Sequence, residues 1–276
     1  KPIFYQLELY ICSRCGLPYF RRMMLIDTHT HLYQPAFDND RADMIARAKA
    51  IGVSRFYMPG IDSEVIQRME EVEQAYPECI MMPGLHPCSV KENYLDELAI
   101  VARQLEQRAF PALGEIGLDY YWDKTFATAQ VDAFHQQIEM ALQYELPIVI
   151  HTRNAMQETI DLVKQYKSRG LRGIFHCFSG SYESAVQIID LGFLLGIGGV
   201  VTYKNAGLPE VLAKVPLEHI VLETDAPYLT PVPFRGKRNE SSYLQYVVST
   251  LAQVYGVDAA AIATATTTNA QQLFNY

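Results

Sequence analysis

Seven histidines occur in the chain, and five of them close short apolar runs: His29, His31, His86, His151 and His176. The densest case is Ile26-Asp27-Thr28-His29-Thr30-His31, which sets two imidazoles two residues apart. Side chains at i and i+2 of a strand share a face, so both rings could grip one divalent metal. Two carboxylates stand in similar places. Glu115 lies in Gly114-Glu115-Ile116-Gly117-Leu118-Asp119, and Asp225 follows the run Ile220–Thr224. A lone histidine after a strand is most simply a hydrogen-bonded core residue. Five imidazoles with Glu115 and Asp225 at one mouth would be costly to bury without a metal or a proton network.

None of these positions is a cysteine, which argues against a structural zinc site. Imidazole mixed with carboxylate suits zinc, manganese or iron, and magnesium less well. Six ligands are too many for one tetrahedral catalytic ion, and suit two ions roughly 3.5–4 Å apart with a carboxylate between them. Glu115 is the expected bridge. His29, His31 and Asp225 are then expected on one ion and His151 with His176 on the other. Asp225 is also placed to take a proton from an attacking water.

The elements that must carry these groups are legible as alternation. Apolar runs fall at Leu25–Thr30, Val53–Pro59, Cys79–Leu85, Ala112–Leu118, Ile148–Thr152, Gly173–Phe178, Phe193–Gly198 and Ile220–Thr224. Helical patterns fill the gaps at 40–51, 63–76, 94–108, 126–145, 155–169, 182–191 and 206–214, then continue at 241–255 and 259–274. Strand alternating with helix predicts right-handed βαβ units and a parallel sheet buried on both faces. Eight units in about 250 residues predict a (β/α)8 TIM barrel with its site at the C-terminal ends of the strands. An open doubly wound sheet is the alternative, but no glycine-rich phosphate turn follows the first run.

Composition narrows the function. The 276 residues are 49% hydrophobic and carry a net charge of −8. That acidity does not suit tight, nonspecific binding along duplex nucleic acid. No apolar stretch approaches a membrane span, and no signal-peptide pattern is visible. Five cysteines in a chain this long do not make a disulfide scaffold, so a cytoplasmic location is expected. Residues 1–23 read as an extension upstream of a start at Met23 or Met24, and residues 24–276 as the barrel. The pair Cys12 and Cys15 in the extension has no second pair to complete a zinc ribbon.

Taken together, the motifs resemble the TatD family of metal-dependent hydrolases, within the amidohydrolase superfamily. The residues that carry the resemblance are Asp27-Thr-His-Thr-His31, Gly84-Leu-His-Pro87, Gly114-Glu-Ile-Gly-Leu-Asp119, His151-Thr-Arg153, His176-Cys-Phe-Ser-Gly180, Leu222-Glu-Thr-Asp-Ala-Pro-Tyr228 and Arg235-Gly-Lys-Arg-Asn-Glu240. They span residues 24–276 in the family's order. The resemblance implies a barrel with a divalent-metal centre that hydrolyses DNA phosphodiesters, often as a 3′-to-5′ exonuclease. It implies His29, His31, Glu115, His151, His176 and Asp225 as ligands, and His86 as a substrate-facing residue beside them. Ser241 departs from the pattern, which usually has Pro after Asn-Glu, and the extension 1–23 has no family counterpart.

Several further residues have two readings each. Arg153 could clamp a substrate phosphate or pair with Glu158. Ser179 or Ser181 could cap a helix or, with Gly180, help bind an anion. Arg235, Lys237 and Arg238 form a basic patch from which at least one phosphate contact is expected, with Arg235 chosen. Tyr120, Tyr121 and Trp122 could stack on a base, but are expected to pack as a lid. Asp27 and Asp119 are expected to orient ligands or loop backbone. The expected substrate is DNA ends or short single-stranded nucleic acid, with no membrane and no stable protein partner. The alternative is an esterase or amidase acting on a small molecule or on aminoacyl-tRNA.

Overall fold

The structure, a computed structural model, describes residues 9–11, 18–20 and 23–275. Near the start, β1 (Leu9–Ile11) and β2 (Pro18–Phe20) pair antiparallel. Cys12 and Cys15 lie outside the described residues.

The alternation continues as β3 (Leu25–Asp27), α1 (Arg41–Ala50), β4 (Val53–Pro59), α2 (Ile66–Ala75), β5 (Cys79–Met82) and α3 (Tyr94–Gln107). It goes on through β6 (Leu113–Asp119), α4 (Ala127–Gln143), β7 (Ile148–Arg153), α5 (Met156–Lys164), β8 (Gly173–Phe175), α6 (Tyr182–Asp190) and β9 (Phe193–Ile197). It ends with α7 (Leu208–Leu212), β10 (Ile220–Leu222), α8 (Leu244–Tyr255) and α9 (Ala259–Phe274). All eight apolar runs thus carry a strand.

Parallel ladders join β3-β4-β5 and β6-β7-β8-β9-β10. Backbone hydrogen bonds close both seams. Gly114 N–H donates to Pro83 O at 2.8 Å between β5 and β6, and Thr28 N–H donates to Leu222 O at 3.0 Å between β3 and β10. The result is the expected (β/α)8 barrel.

One apolar layer fills the barrel's interior: Ile26, Tyr57, Met82, Val149, Ile174 and Val221 meet Leu273 and Phe274 at the end of α9. The Tyr57 and Phe274 rings stack at 4.0 Å. Side chains alternate along a strand. Two residues beyond Val149 comes His151, two beyond Ile174 comes His176, and two and four beyond Val221 come Glu223 and Asp225. The polar site is therefore the next layer above the apolar plug.

Four strands stop two or three residues earlier than the apolar runs suggest. β3 ends at Asp27, β5 at Met82, β8 at Phe175 and β10 at Leu222, so the chemical residues that follow stand where the backbone leaves the ladder. Cys177 (φ 50°) and Asp225 (φ 54°) adopt left-handed backbone, uncommon for residues with a side chain.

Among the described residues no single helix is long and apolar enough to cross a membrane. The apolar helices α8 and α9 are bent 106° from each other and bury their apolar faces in the molecule.

Candidate metal centre and active site

Glu115 is the hub of the site. It is buried, with Oε2 3.1 Å from His29 Nε2 and 3.8 Å from His31 Nε2. Its Oε1 lies 2.7 Å from His151 Nδ1, 3.4 Å from His86 Nε2 and 3.6 Å from His176 Nε2. The two oxygens thus face two different groups of imidazoles, as a bridging carboxylate would. Burial works against its charge, but the imidazoles of His29, His86 and His176 outweigh that and hold the carboxyl well below the usual range.

His29 and His31 converge, although β3 ends before them. Their Nε2 atoms are 3.3 Å apart. A parallel bridge between Thr30 and Ala226 keeps this loop extended, and Asp225 N–H donates to His29 O at 2.9 Å. Asp225 Oδ1 lies 3.3 Å from His31 Nε2 and 3.7 Å from His29 Nε2. The His29 ring also stacks on that of His176, with centroids 3.6 Å apart.

The six expected ligands, and His86, are brought together. His176 stands between the two groups: its Nε2 shares the Glu115 Oε1 side with His151 and His86, and it also lies with His29 and Asp225. His86 accepts the Cys88 N–H at Nδ1, 3.0 Å away. A neutral His86 therefore carries its proton on Nε2, which makes it a donor rather than a metal ligand.

The donor set fits divalent cations. Burial, then the nearby His176, keep the His29 imidazole below its ordinary range, so it stays neutral with a lone pair to offer. At His176 burial opposes charge, but the carboxylates of Glu223 and Glu115 win and push it up to about 10. The carboxylates around His176 thus favour positive charge at that point. The Nδ1 of His29 and Oε2 of Glu223 are buried with no hydrogen-bond partner among the described residues.

Supporting contacts fix these groups. Asp27, fully buried, accepts the backbone N–H and the hydroxyl of Thr224 at 2.9 and 2.7 Å. Burial pushes its carboxyl up to about 7 against those donors. Asp119 Oδ2 meets His151 Nε2 at 2.9 Å while its Oδ1 accepts the N–H of Tyr121 at 2.9 Å. Asp27 thus contacts the Thr224 backbone and hydroxyl, and Asp119 contacts both a candidate ligand and the loop after β6. Asn239 donates to Thr224 O and Tyr228 O at 2.8 and 2.7 Å, which ties down the loop after Asp225.

Sequence reasoning missed two residues. Glu223, fully buried, has Oε1 3.0 Å from His176 Nδ1 and accepts the Cys177 N–H at 2.5 Å. Its signal was available, because it sits two residues past Val221 on the same strand face. Tyr33 bonds His31 Nδ1 at 2.7 Å and donates to Pro59 O at 2.7 Å. It lies two residues after His31 with no pattern to mark it. Glycine is required at Gly196, where a Cβ would fall 2.2 Å from Glu223 Oε2.

The residues with two readings resolve as follows. Arg153 does not pair with Glu158; its guanidinium lies 3.7 Å from the Tyr121 ring centre. Tyr121 and Trp122 are exposed, with their N–H groups bonded to Asp119; Tyr120 is partly buried against the core. Ser181 caps α6 by accepting the Ser184 N–H. Arg238 is committed to Asp40 by bonds of 2.6 and 2.7 Å, whereas Arg235 stacks 3.8 Å over Tyr203. His135, half-buried on α4, bonds the hydroxyl of the buried Tyr166 at 2.6 Å, and His219 closes a short turn before β10. Ser241 begins a 3-10 turn, the position where proline's missing N–H matters least, so the departure at Ser241 leaves the backbone course available.

Comparison with known proteins agrees with this geometry. The family described as TatD related DNase matches residues 26–275. The metal-dependent hydrolase YabD of Bacillus subtilis is 40% identical over 252 residues, covering 91% of this chain and 99% of that protein. A protein of Escherichia fergusonii named 3′-5′ ssDNA/RNA exonuclease TatD is 31% identical, over 91% of this chain and 98% of its own. The crystal structure of YjjV, a TatD homologue of Escherichia coli, superposes with a TM-score of 0.86 at 31% identity, covering 91% of this chain and 98% of that one.

Proposed function

Because the chain belongs to the TatD-related family of metal-dependent hydrolases, we propose that it hydrolyses phosphodiester bonds at the ends of single-stranded DNA, from the 3′ end. The observation that carries this reading is the convergence of His29, His31, Glu115, His151, His176 and Asp225, with Arg153 at the end of β7 and Arg235 on the loop that follows β10.

His29, His31 and Asp225 would hold one ion and His151 with His176 the other, with Glu115 shared between the two groups. When bound, divalent ions supply Lewis-acid activation of water and neutralise charge developing on the phosphoryl oxygens.

The chain's own residues do the rest. Asp225 is the more open carboxylate, its side chain 15% exposed against 4% for Glu115. It is therefore the acid that meets an incoming water and accepts its proton at an Oδ atom. The hydrogen bond between Asp225 N–H and His29 O fixes the direction of that carboxyl. His86 holds a proton at Nε2, ready to donate to a phosphoryl oxygen or to the leaving oxygen. Arg153 and Arg235 lie over the rings of Tyr121 and Tyr203 at 3.7 and 3.8 Å, and their N–H groups are the ones offered to phosphate.

The acidic chain limits the grip to a few nucleotides near the centre. The test is release of nucleotides from a 3′-labelled and a 5′-labelled single strand, before and after chelation, with zinc, manganese or magnesium restored. Metal-dependent loss of label from the 3′ end first supports the reading. Turnover of esters or amides with none of DNA would replace it with the amidohydrolase alternative.

A further inference from the structure

The loop after β6 carries exposed aromatics. Tyr121 is 51% and Trp122 70% exposed, and their rings meet edge-on at 4.8 Å and 85°. The Arg153 guanidinium lies 3.7 Å from the Tyr121 ring centre and 5.2 Å from that of Trp122. It has no carboxylate partner among the described residues, since its contacts are these two rings. Solvating three such side chains together brings no packing benefit.

Their position gives them a use. Asp119 pairs with Arg153 in the β6–β7 register, and Arg153 shares a strand face with His151. One carboxylate then ties the two places together. Asp119 Oδ2 holds His151 Nε2 at 2.9 Å, while Oδ1 accepts the N–H groups of Tyr121 at 2.9 Å and Trp122 at 3.3 Å. The aromatic loop is therefore fixed to the same acid as a residue of the metal centre.

We propose that Tyr121, Trp122 and Arg153 form a subsite for one unpaired nucleobase and its adjoining phosphate, next to the bond that is cut. This rests on the phosphodiesterase reading above. The open face of Trp122 takes the base, and the Arg153 N–H edge takes the phosphate. A base inside a duplex has both faces covered by its neighbours, so the subsite selects frayed or single-stranded ends. Stacking has little sequence preference, because every base has a π-face.

Trp122 is the chain's one tryptophan, so its fluorescence reports this subsite directly. The metal-loaded protein is titrated with a phosphorothioate tetrathymidylate, which resists cleavage, and with an abasic strand of equal length and charge. Quenching by the thymidylate alone is expected. Tyr121→Ala should weaken thymidylate binding by about 5- to 150-fold and the abasic strand by less than about twofold. Trp122→Ala, followed by anisotropy of a labelled strand, should do the same.

Quenching that is equal or absent for the two strands overturns the subsite. So does unchanged thymidylate affinity in both variants. Cleavage of ordinary oligonucleotides is measured alongside. Cleavage without base-dependent binding removes the subsite and keeps the phosphodiesterase. Base-dependent quenching without cleavage keeps the subsite and removes the phosphodiesterase.

Discussion

Glu223 sets its Oε1 3.0 Å from Nδ1 of His176, on the opposite side of the ring from the nitrogen that faces Glu115. The contact is an ion pair rather than a well-formed hydrogen bond, and a carboxylate so placed raises the basicity of an imidazole that could hold a metal. Glu223→Gln keeps the size of the side chain and its bond to Cys177 N–H but removes the charge. Metal affinity is expected to fall by about 10- to 100-fold. Competition with a chromophoric chelator measures it. Unchanged affinity would show that Glu223 serves only the Cys177 backbone.

Gly196 gives that carboxylate its room. A Cβ there would lie 2.2 Å from Glu223 Oε2 and 2.7 Å from Cδ. The carboxylate cannot retreat easily, because it is fully buried and bonded to Cys177. Gly196→Ala should destabilise the fold by about 1–3 kcal/mol through overpacking. It should also lower bound metal, because His176 loses its support. Thermal denaturation and metal analysis on one preparation check both. A variant with normal stability and full metal content would mean that the β9 backbone yields freely.

Glu115 and Asp225 should separate in their effects. Glu115 faces five imidazoles, so Glu115→Gln removes the charge that all of them share, and metal loss is expected along with activity. Asp225 touches His29 and His31 from the open side of the site. Asp225→Asn should cost about 10²- to 10⁴-fold in kcat, the range of a lost general base. Circular dichroism should show both variants folded. Normal turnover in either one removes its assigned role.

Much of this was legible in the sequence because the barrel obeys two simple periods. The eight apolar runs and the helical patterns between them gave the barrel, and the histidines at the ends of the runs gave the rim. The exact strand ends were not legible. His176 and Asp225 follow strands that stop one to three residues before them, where Cys177 and Asp225 leave ordinary backbone space. Hydrophobicity does not register that change. Glu223 was hidden differently: its neighbours read as one apolar strand, and only the inward position of Val221 shows where it points. The exposure of Tyr121 and Trp122 and the bonds from their N–H groups to Asp119 are revealed by no composition or spacing.

The loop that carries Arg235 and Asn239 is fastened to α1 by charge, and this fastening has a definite pH signature. Arg238 bonds both oxygens of Asp40 at 2.6 and 2.7 Å, and Arg47 reaches Asp40 at 3.2 Å and Glu240 at 2.6 Å. The Arg238 bonds come first in holding Asp40 at about 2, below its ordinary 3.8, and Arg47 adds to them. The folded value lies below the unfolded one, so the stabilisation is complete above about pH 4 and disappears as pH falls toward 2. Partial solvent access keeps it small. Urea midpoints of the wild type and Asp40→Asn should differ at pH 5 and converge as pH drops through that window. A gap that stays constant down to pH 2 would show that the difference lies in packing rather than in the carboxylate's charge.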